Sequence, residues 1–349
     1  MSRLASLSCL LPLLLGIGLY PFWNVSSSKD LEIAEAEVLK VITSSTEKKL
    51  VPVGDAKYIS TLIFKPPHQP HSTHPVVMVH GFGGASLFFF KNIDALSKDR
   101  VVITLDLPGF GLSSRFNFTS NADEAERQFV DIMETWRVQM ELDRFILVGH
   151  SFGAYLITCY ALKYPSHIHH LVLLDPWGFA EGPSPETADE VVGTFPPGIR
   201  FSVAANKVFS FYPLSHIRAS GPIGFFVLRL TRPDLIRIFG ETTFNYLYHC
   251  IAQIPSGEIG YYHIQYLFAW SKRPLVKRIG LLHDPIGITM ITGATSWLNN
   301  SLTGQWIQQQ RPESHFAAHE IVDAGHHVYA ERSEEFNTLM TSVCAGVDA

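Results

Sequence analysis

Ser151 stands in Gly149-His150-Ser151-Phe152-Gly153, behind the apolar run 145–148 and before a helical pattern. A serine between glycines at a strand-to-helix turn has the form of a nucleophile. The glycines let the backbone cross closely, and the sharp turn lifts Oγ above the strand ends. The chemistry would be acyl transfer through a serine ester. That needs a base for the serine proton and two N–H donors for the oxyanion. The predicted donors are the backbone N–H groups of Phe152 and of Phe82, the latter in His80-Gly81-Phe82-Gly83-Gly84 after another buried strand. This loop lacks the Lys and Ser/Thr of a phosphate loop, which excludes that reading. The base should follow the last strand, in the chain order serine, acid, histidine. Ala324-Gly325-His326-His327 occupies that place. His326, beside Gly325, is the expected base, and His327 is the other candidate. The remaining histidines, such as His169-His170 and the loop residues His68, His71 and His74, are read as surface or core groups, with no metal inferred.

The elements that must position these residues are legible as short apolar runs. Residues 76–80, 101–106, 145–149, 171–175, 288–292 and 317–322 read as buried parallel strands, and 58–64 as a half-exposed strand. A mixed helical stretch covers 30–42. A helix is predicted to begin near Ser120 with Ser120 and Asp123 as a capping box, presenting Phe129, Ile132, Met133, Trp136 and Met140 at helical spacing. Another should run from Phe152 to about Lys163, stopped by Pro165. Alternating strands and helices imply a mostly parallel central sheet with helices on both faces. Between Asp175 and Ile288 no clear strand series appears, and the stretch is rich in aromatics such as Trp177, Phe179, Phe225, Phe226, Phe244 and Trp270. It reads as a helical cap of about residues 176–285 inserted in a domain spanning 29–349, able to cover an apolar substrate.

With 27 basic and 32 acidic residues and no basic block, the chain offers no nucleic-acid footprint. Four scattered cysteines without C-x-x-C argue against a disulfide framework or a structural zinc site. Residues 1–28 are set apart. Arg3 precedes an almost wholly apolar 10–20, which fits a retained membrane anchor, a cleaved signal or a buried segment. Sequons at Asn24, Asn117 and Asn299 do not decide between these.

The chain resembles one branch of the α/β-hydrolase fold family. That branch holds the lysophospholipase acting on N-acyl phosphatidylethanolamines and the lipid-droplet co-activator of a triglyceride lipase. The motifs that carry the resemblance are V-H-G-F-G-G at 79–84, D-L-P-G-F-G-L-S-S-R at 106–115 and D-P-W-G-F at 175–179. To these add Y-H-C at 248–250, P-S-G-E at 255–258, K-R-P at 272–274 and G-H-H-V-Y-A-E at 325–331. The co-activator carries Asn at the nucleophile position, where this chain has Ser151. The resemblance implies a serine hydrolase or acyltransferase of glycerophospholipids with no metal or organic cofactor. It also implies a lipid substrate met at a membrane or lipid-droplet surface. The location would be intracellular and membrane-associated, at a lipid droplet, endoplasmic reticulum or mitochondrion; signal cleavage would instead mean secretion. The competing reading is a catalytically weak lipid-binding regulator with a lipase partner. Nothing in the sequence fixes an oligomeric state. An epoxide or haloalkane hydrolase is disfavoured, since those enzymes need Asp at the nucleophile.

Two departures follow. The family's triad acid falls six residues after the glycine that ends a late strand, and Gly293 places Asn299 there. An amide orients an imidazole but gives no charge stabilisation to imidazolium, so Asn299 predicts weakened catalysis. Asp175, at the end of an earlier strand, is the alternative acid. The family's H-x-x-x-x-D, linked to lysophosphatidic acid acyltransferase activity, here ends in Glu331.

Overall fold

The computed structural model describes residues 26–69, 74–194, 200, 212–298 and 300–348. The apolar segment before Ser26 and the family acid position Asn299 lie outside the described residues. Eight strands form one sheet in the order β1-β2-β4-β3-β5-β6-β9-β10. They are β1 Ser45–Pro52, β2 Tyr58–Lys65, β3 Val76–Val79, β4 Val102–Leu105, β5 Phe145–His150, β6 Ile168–Leu174, β9 Gly287–Gly293 and β10 Phe316–Ile321. From β4 to β10 all neighbours run parallel. At one edge β1 and β2 run antiparallel. The pair β7 Gln265–Tyr266 and β8 Trp270–Ser271 forms a separate small hairpin.

Successive side chains of a strand point to opposite faces, and the two cores follow that rule. Val76 and Met78 of β3 enter one core, while Val77 and Val79 enter the other. In β5, Ile146 and Val148 join the first and Phe145 and Leu147 the second. A strand apolar on both faces is a strand covered on both faces, so helices flank the sheet on each side. The helix Phe152–Lys163 is buried almost throughout, and Ala122–Gln139 buries Phe129, Met133 and Trp136. The Trp136 indole N–H donates to Thr61 Oγ1 at 2.9 Å, so its burial strands no donor.

Several expectations need correction. The strand read as buried over 317–322 is a partly exposed edge strand with only Ile321 buried, while β2, read as half-exposed, buries five of its eight residues. The helix after Ser120 starts one residue later, at Ala122. Its cap is Asn121, whose Oδ1 accepts from the N–H groups of Asp123 and Glu124. β1 gave no signal because only Val51 of its eight residues is buried, leaving no alternation to read. The stretch between β6 and β9 is helical over 215–219, 224–231, 233–251 and 257–264, yet it also contains the β7–β8 hairpin.

The family motifs act as staples within this frame. Asp106, fully buried, accepts from the backbone N–H groups of Ser86 and Leu112 at 2.7 and 2.8 Å. Gly109 sits at φ 80 with Gly257 N–H donating to its carbonyl, and a Cβ there would come within 2.2 Å of Gly257 N. Glu258, from the same motif as Gly257, forms a buried ion pair with Arg218 and accepts from Leu214 N–H. Arg218 also donates to Ile251 C=O at 2.9 Å, which knits the helices of the inserted stretch together. Arg273 and Arg278 both reach Glu126, which also takes the Tyr155 O–H. The helix behind Ser151 is thereby tied to the end of the inserted stretch.

Candidate active site

Ser151 links β5 to the following helix with φ 54 and ψ −117, a strained backbone for a residue with a side chain. It is held there by Ser151 N–H donating to Leu174 C=O at 2.9 Å. The glycines on either side make the turn feasible. A Cβ at Gly153 would approach His80 O and Val79 O at 2.4 and 2.5 Å.

Ser151 Oγ lies 3.0 Å from His326 Nε2. His326 Nδ1 lies 2.5 Å from Asp175 Oδ2. The carboxylate accepts, so Nδ1 carries the proton and Nε2 is the acceptor facing the serine hydroxyl. Asp175 follows β6 at φ 40 and is completely buried. Ser296 Oγ donates to its Oδ2 at 2.5 Å, and Asn300 Nδ2 to its Oδ1 at 3.3 Å. Both donors flank the family acid position, so that loop here hydrogen-bonds the carboxylate of another strand.

The Phe82 loop reaches Ser151. A Cβ placed on Gly81 would meet Ser151 Cβ at 3.0 Å. His80 secures the loop: its Nε2 accepts from Leu107 N–H, so its Nδ1–H donates to Gly81 C=O at 2.8 Å. Burial keeps this imidazole pKa below its ordinary value, favouring the neutral form. Phe152 begins the helix directly after Ser151.

The His326 loop is held from two further directions. His150 Nε2–H donates to the His326 carbonyl at 2.8 Å. Glu331 accepts from Gly325 N–H at 2.9 Å and from His327 N–H at 3.0 Å, the two residues flanking His326. Glu331 was visible only as a motif position, and its hold on the loop has no signal in sequence. His327 packs its ring against His150 and Phe239. Burial pulls both His150 and His327 well below the ordinary histidine range, with the neighbouring imidazoles adding to the effect. Among the described residues no group of three or more His, Cys, Asp or Glu side chains is arranged to hold a metal ion.

Residues 74–333 match the α/β hydrolase fold family. The chain belongs to the α/β hydrolases. The chain is 40% identical to "1-acylglycerol-3-phosphate O-acyltransferase ABHD5" of Rattus norvegicus, over 93% of its own length and 91% of the relative's. It is 37% identical to "(Lyso)-N-acylphosphatidylethanolamine lipase" of Mus musculus, over 93% and 94%. Both relatives belong to the branch that the motifs indicated. Among solved structures it is similar to carboxylesterase CesB (YbfK) from Bacillus subtilis, with TM-score 0.65, 14% identity and coverage of 91% and 98%. A membrane phospholipase A gives TM-score 0.62 at 17% identity, covering 99% of both chains. At such identities the likeness concerns the α/β-hydrolase fold.

Proposed function

We propose that this α/β hydrolase is a serine hydrolase of lipid carboxylic esters. Ser151 Oγ attacks the acyl carbon while His326 Nε2 takes its proton. Asp175 holds the Nδ1–H tautomer and stabilises the imidazolium that forms. The N–H groups of Phe82 and Phe152 receive the oxyanion. The intermediate collapses as the C–O bond breaks, and His326 returns the proton to the leaving alcohol oxygen. The acyl-serine is then attacked by water, or by a lysolipid hydroxyl, with His326 again accepting the proton. The residues of about 176–285 serve as the cap over the apolar substrate.

One observation carries this reading: the continuous chain from buried Asp175 through His326 to Ser151, with contacts of 2.5 and 3.0 Å. A carboxylate already at His326 Nδ1 makes Asn299 unnecessary as the acid. The relatives' printed names supply the substrate class, glycerophospholipid esters, and the acyltransferase variant of the second step. Glu331 favours hydrolysis over a separate acyltransferase role, since both its oxygens are engaged by the His326 loop.

The test is release of fatty acid from lysophosphatidylethanolamine and N-acyl phosphatidylethanolamine, with acyl transfer to lysophosphatidic acid assayed in parallel. Ser151→Ala should abolish activity and labelling by a fluorophosphonate. Asp175→Asn should lower kcat by about 10⁴-fold, the loss given by the same change in a serine-protease triad. Asn299→Asp should leave kcat unchanged. Equal inertness of wild type and Ser151→Ala on every lipid would instead point to the lipid-binding regulator.

A further inference from the structure

The tip of the β7–β8 hairpin, Leu267-Phe268-Ala269, places two consecutive non-glycine residues in the left-handed region, with φ 50 at Leu267 and φ 66 at Phe268. Such backbone persists only where its surroundings over-determine it, and it concentrates at ligand clamps. Three hydrogen bonds supply the constraint. Trp177 Nε1–H and Tyr261 O–H both donate to Phe268 C=O, at 2.8 and 2.7 Å. Phe268 N–H donates to Gln265 Oε1 at 2.6 Å. Trp177 is two residues beyond Asp175, so the turn that carries the carboxylate also fixes the hairpin tip.

The tip presents an aromatic ring to the site. The Phe268 centroid lies 6.0 Å from Phe82, edge to face, and 6.0 Å from Trp297. Trp297 in turn meets the His326 ring edge to face at 5.3 Å. Phe268 and Trp297 together therefore span from the oxyanion loop to His326. All three aromatic residues retain accessible surface, whereas Ser151 keeps only 6%.

The reaction fixes which half of the substrate meets this wall. As the ester C–O bond breaks, the imidazolium proton on Nε2 passes to the alcohol oxygen, so the alcohol departs within hydrogen-bond reach of the ring flanked by Trp297. Resting on the hydrolase reading above, we infer that Phe268 and Trp297 form the alcohol subsite and select esters whose leaving alcohol itself bears a hydrocarbon chain. An aromatic wall gains from each methylene laid on it and offers little to compensate a desolvated polar alcohol.

The experiment compares octanoate esters of ethanol, hexanol and decanol with ethyl esters of hexanoate, octanoate and decanoate. Wild type, Phe268→Ala, Phe268→Leu, Trp297→Ala and Ser151→Ala are measured together, with fluorophosphonate labelling to verify an intact site. In wild type, kcat/KM should rise at least tenfold from the ethyl to the decyl alcohol. Phe268→Ala and Trp297→Ala should lose about tenfold on the decyl ester and little on the ethyl ester, with Phe268→Leu between. The acyl-length series should keep its slope in all three. If Phe268→Ala fails to label, Phe268→Leu and Trp297→Ala decide the matter. The alcohol subsite is overturned by a flat alcohol series in an active wild type, by an alcohol slope the labelled variants leave unaltered, or by a change confined to the acyl series. Wild type no more active than Ser151→Ala overturns the hydrolase reading itself, and the subsite with it.

Discussion

Glu331 acts on the site through the backbone of the loop that carries His326. Its two oxygens accept the N–H groups on either side of His326, while His150 holds the carbonyl between them. A shift of the base by about 1 Å can cost 10²-fold in rate, so this clamp bears on kcat directly. Glu331→Gln keeps one acceptor and turns an amide donor toward the second N–H. It should lower kcat about tenfold or more with KM unchanged, and slow fluorophosphonate labelling in parallel. A rate equal to wild type would reduce Glu331 to a bystander. That Ser151, His326 and the Phe82 loop come together was readable in sequence because each is signalled by residues within a few positions of it. The Asp175–His326 contact spans 151 residues and depends on which strand ends converge, so the family position Asn299 was the natural first expectation. Glu331 kept its charge where the family has Asp, yet its backbone partners belong to a loop whose path no local pattern reveals.

The turn from β5 into the helix Phe152–Lys163 is where local sequence and tertiary packing meet most tightly. Gly153 packs against the end of β3, where a Cβ would lie 2.4 Å from His80 O and 2.5 Å from Val79 O. Backbone atoms of a central strand cannot yield as a flexible side chain would. Gly153→Ala should therefore cost about 3 kcal/mol in urea unfolding and abolish fluorophosphonate labelling. Gly193 is the control: it ends the helix Ala188–Gly193 with nothing within 4 Å of an added Cβ. Gly193→Ala should leave stability unchanged or raise it by up to about 1 kcal/mol. Similar losses from both would mean that Gly153 is not the packing point described. The same contrast explains which elements sequence reveals. Strands buried on both faces announce themselves as apolar runs. β1 and the β7–β8 hairpin are too exposed or too short to do so, and their place is set by partners distant in the chain.

At the scale of the whole molecule, the N-terminal helix Ser28–Leu39 packs Leu31, Ala34 and Val38 into the same core as the helix Pro233–Ile251. It carries one costly group. Glu35 is 2% exposed and pairs with Lys48 through Oε2, but its buried Oε1 has no hydrogen-bond partner. Burial, with the charge of Asp106 second, raises its pKa to about 7 despite the lysine. The folded chain then binds a proton at Glu35 that the unfolded chain, with an ordinary value near 4.5, has released. Stability from this group is fully present below about pH 4.5 and is lost as pH rises through about 7. The shift corresponds to on the order of 3 kcal/mol across that window. Glu35→Gln retains the shape and cannot ionise. The gap between it and wild type should therefore widen in the variant's favour from pH 5 to pH 8 in urea titrations. A gap independent of pH would mean that Lys48 keeps the carboxylate charged throughout. At high pH the buried carboxylate charge is the costly state, so ionising Glu35 weakens the packing of this helix, whose preceding Ser26 hydrogen-bonds His249 and Gln253. Hydrogen exchange should register that as faster opening of residues 28–39 above pH 7, and Glu35→Gln should suppress it.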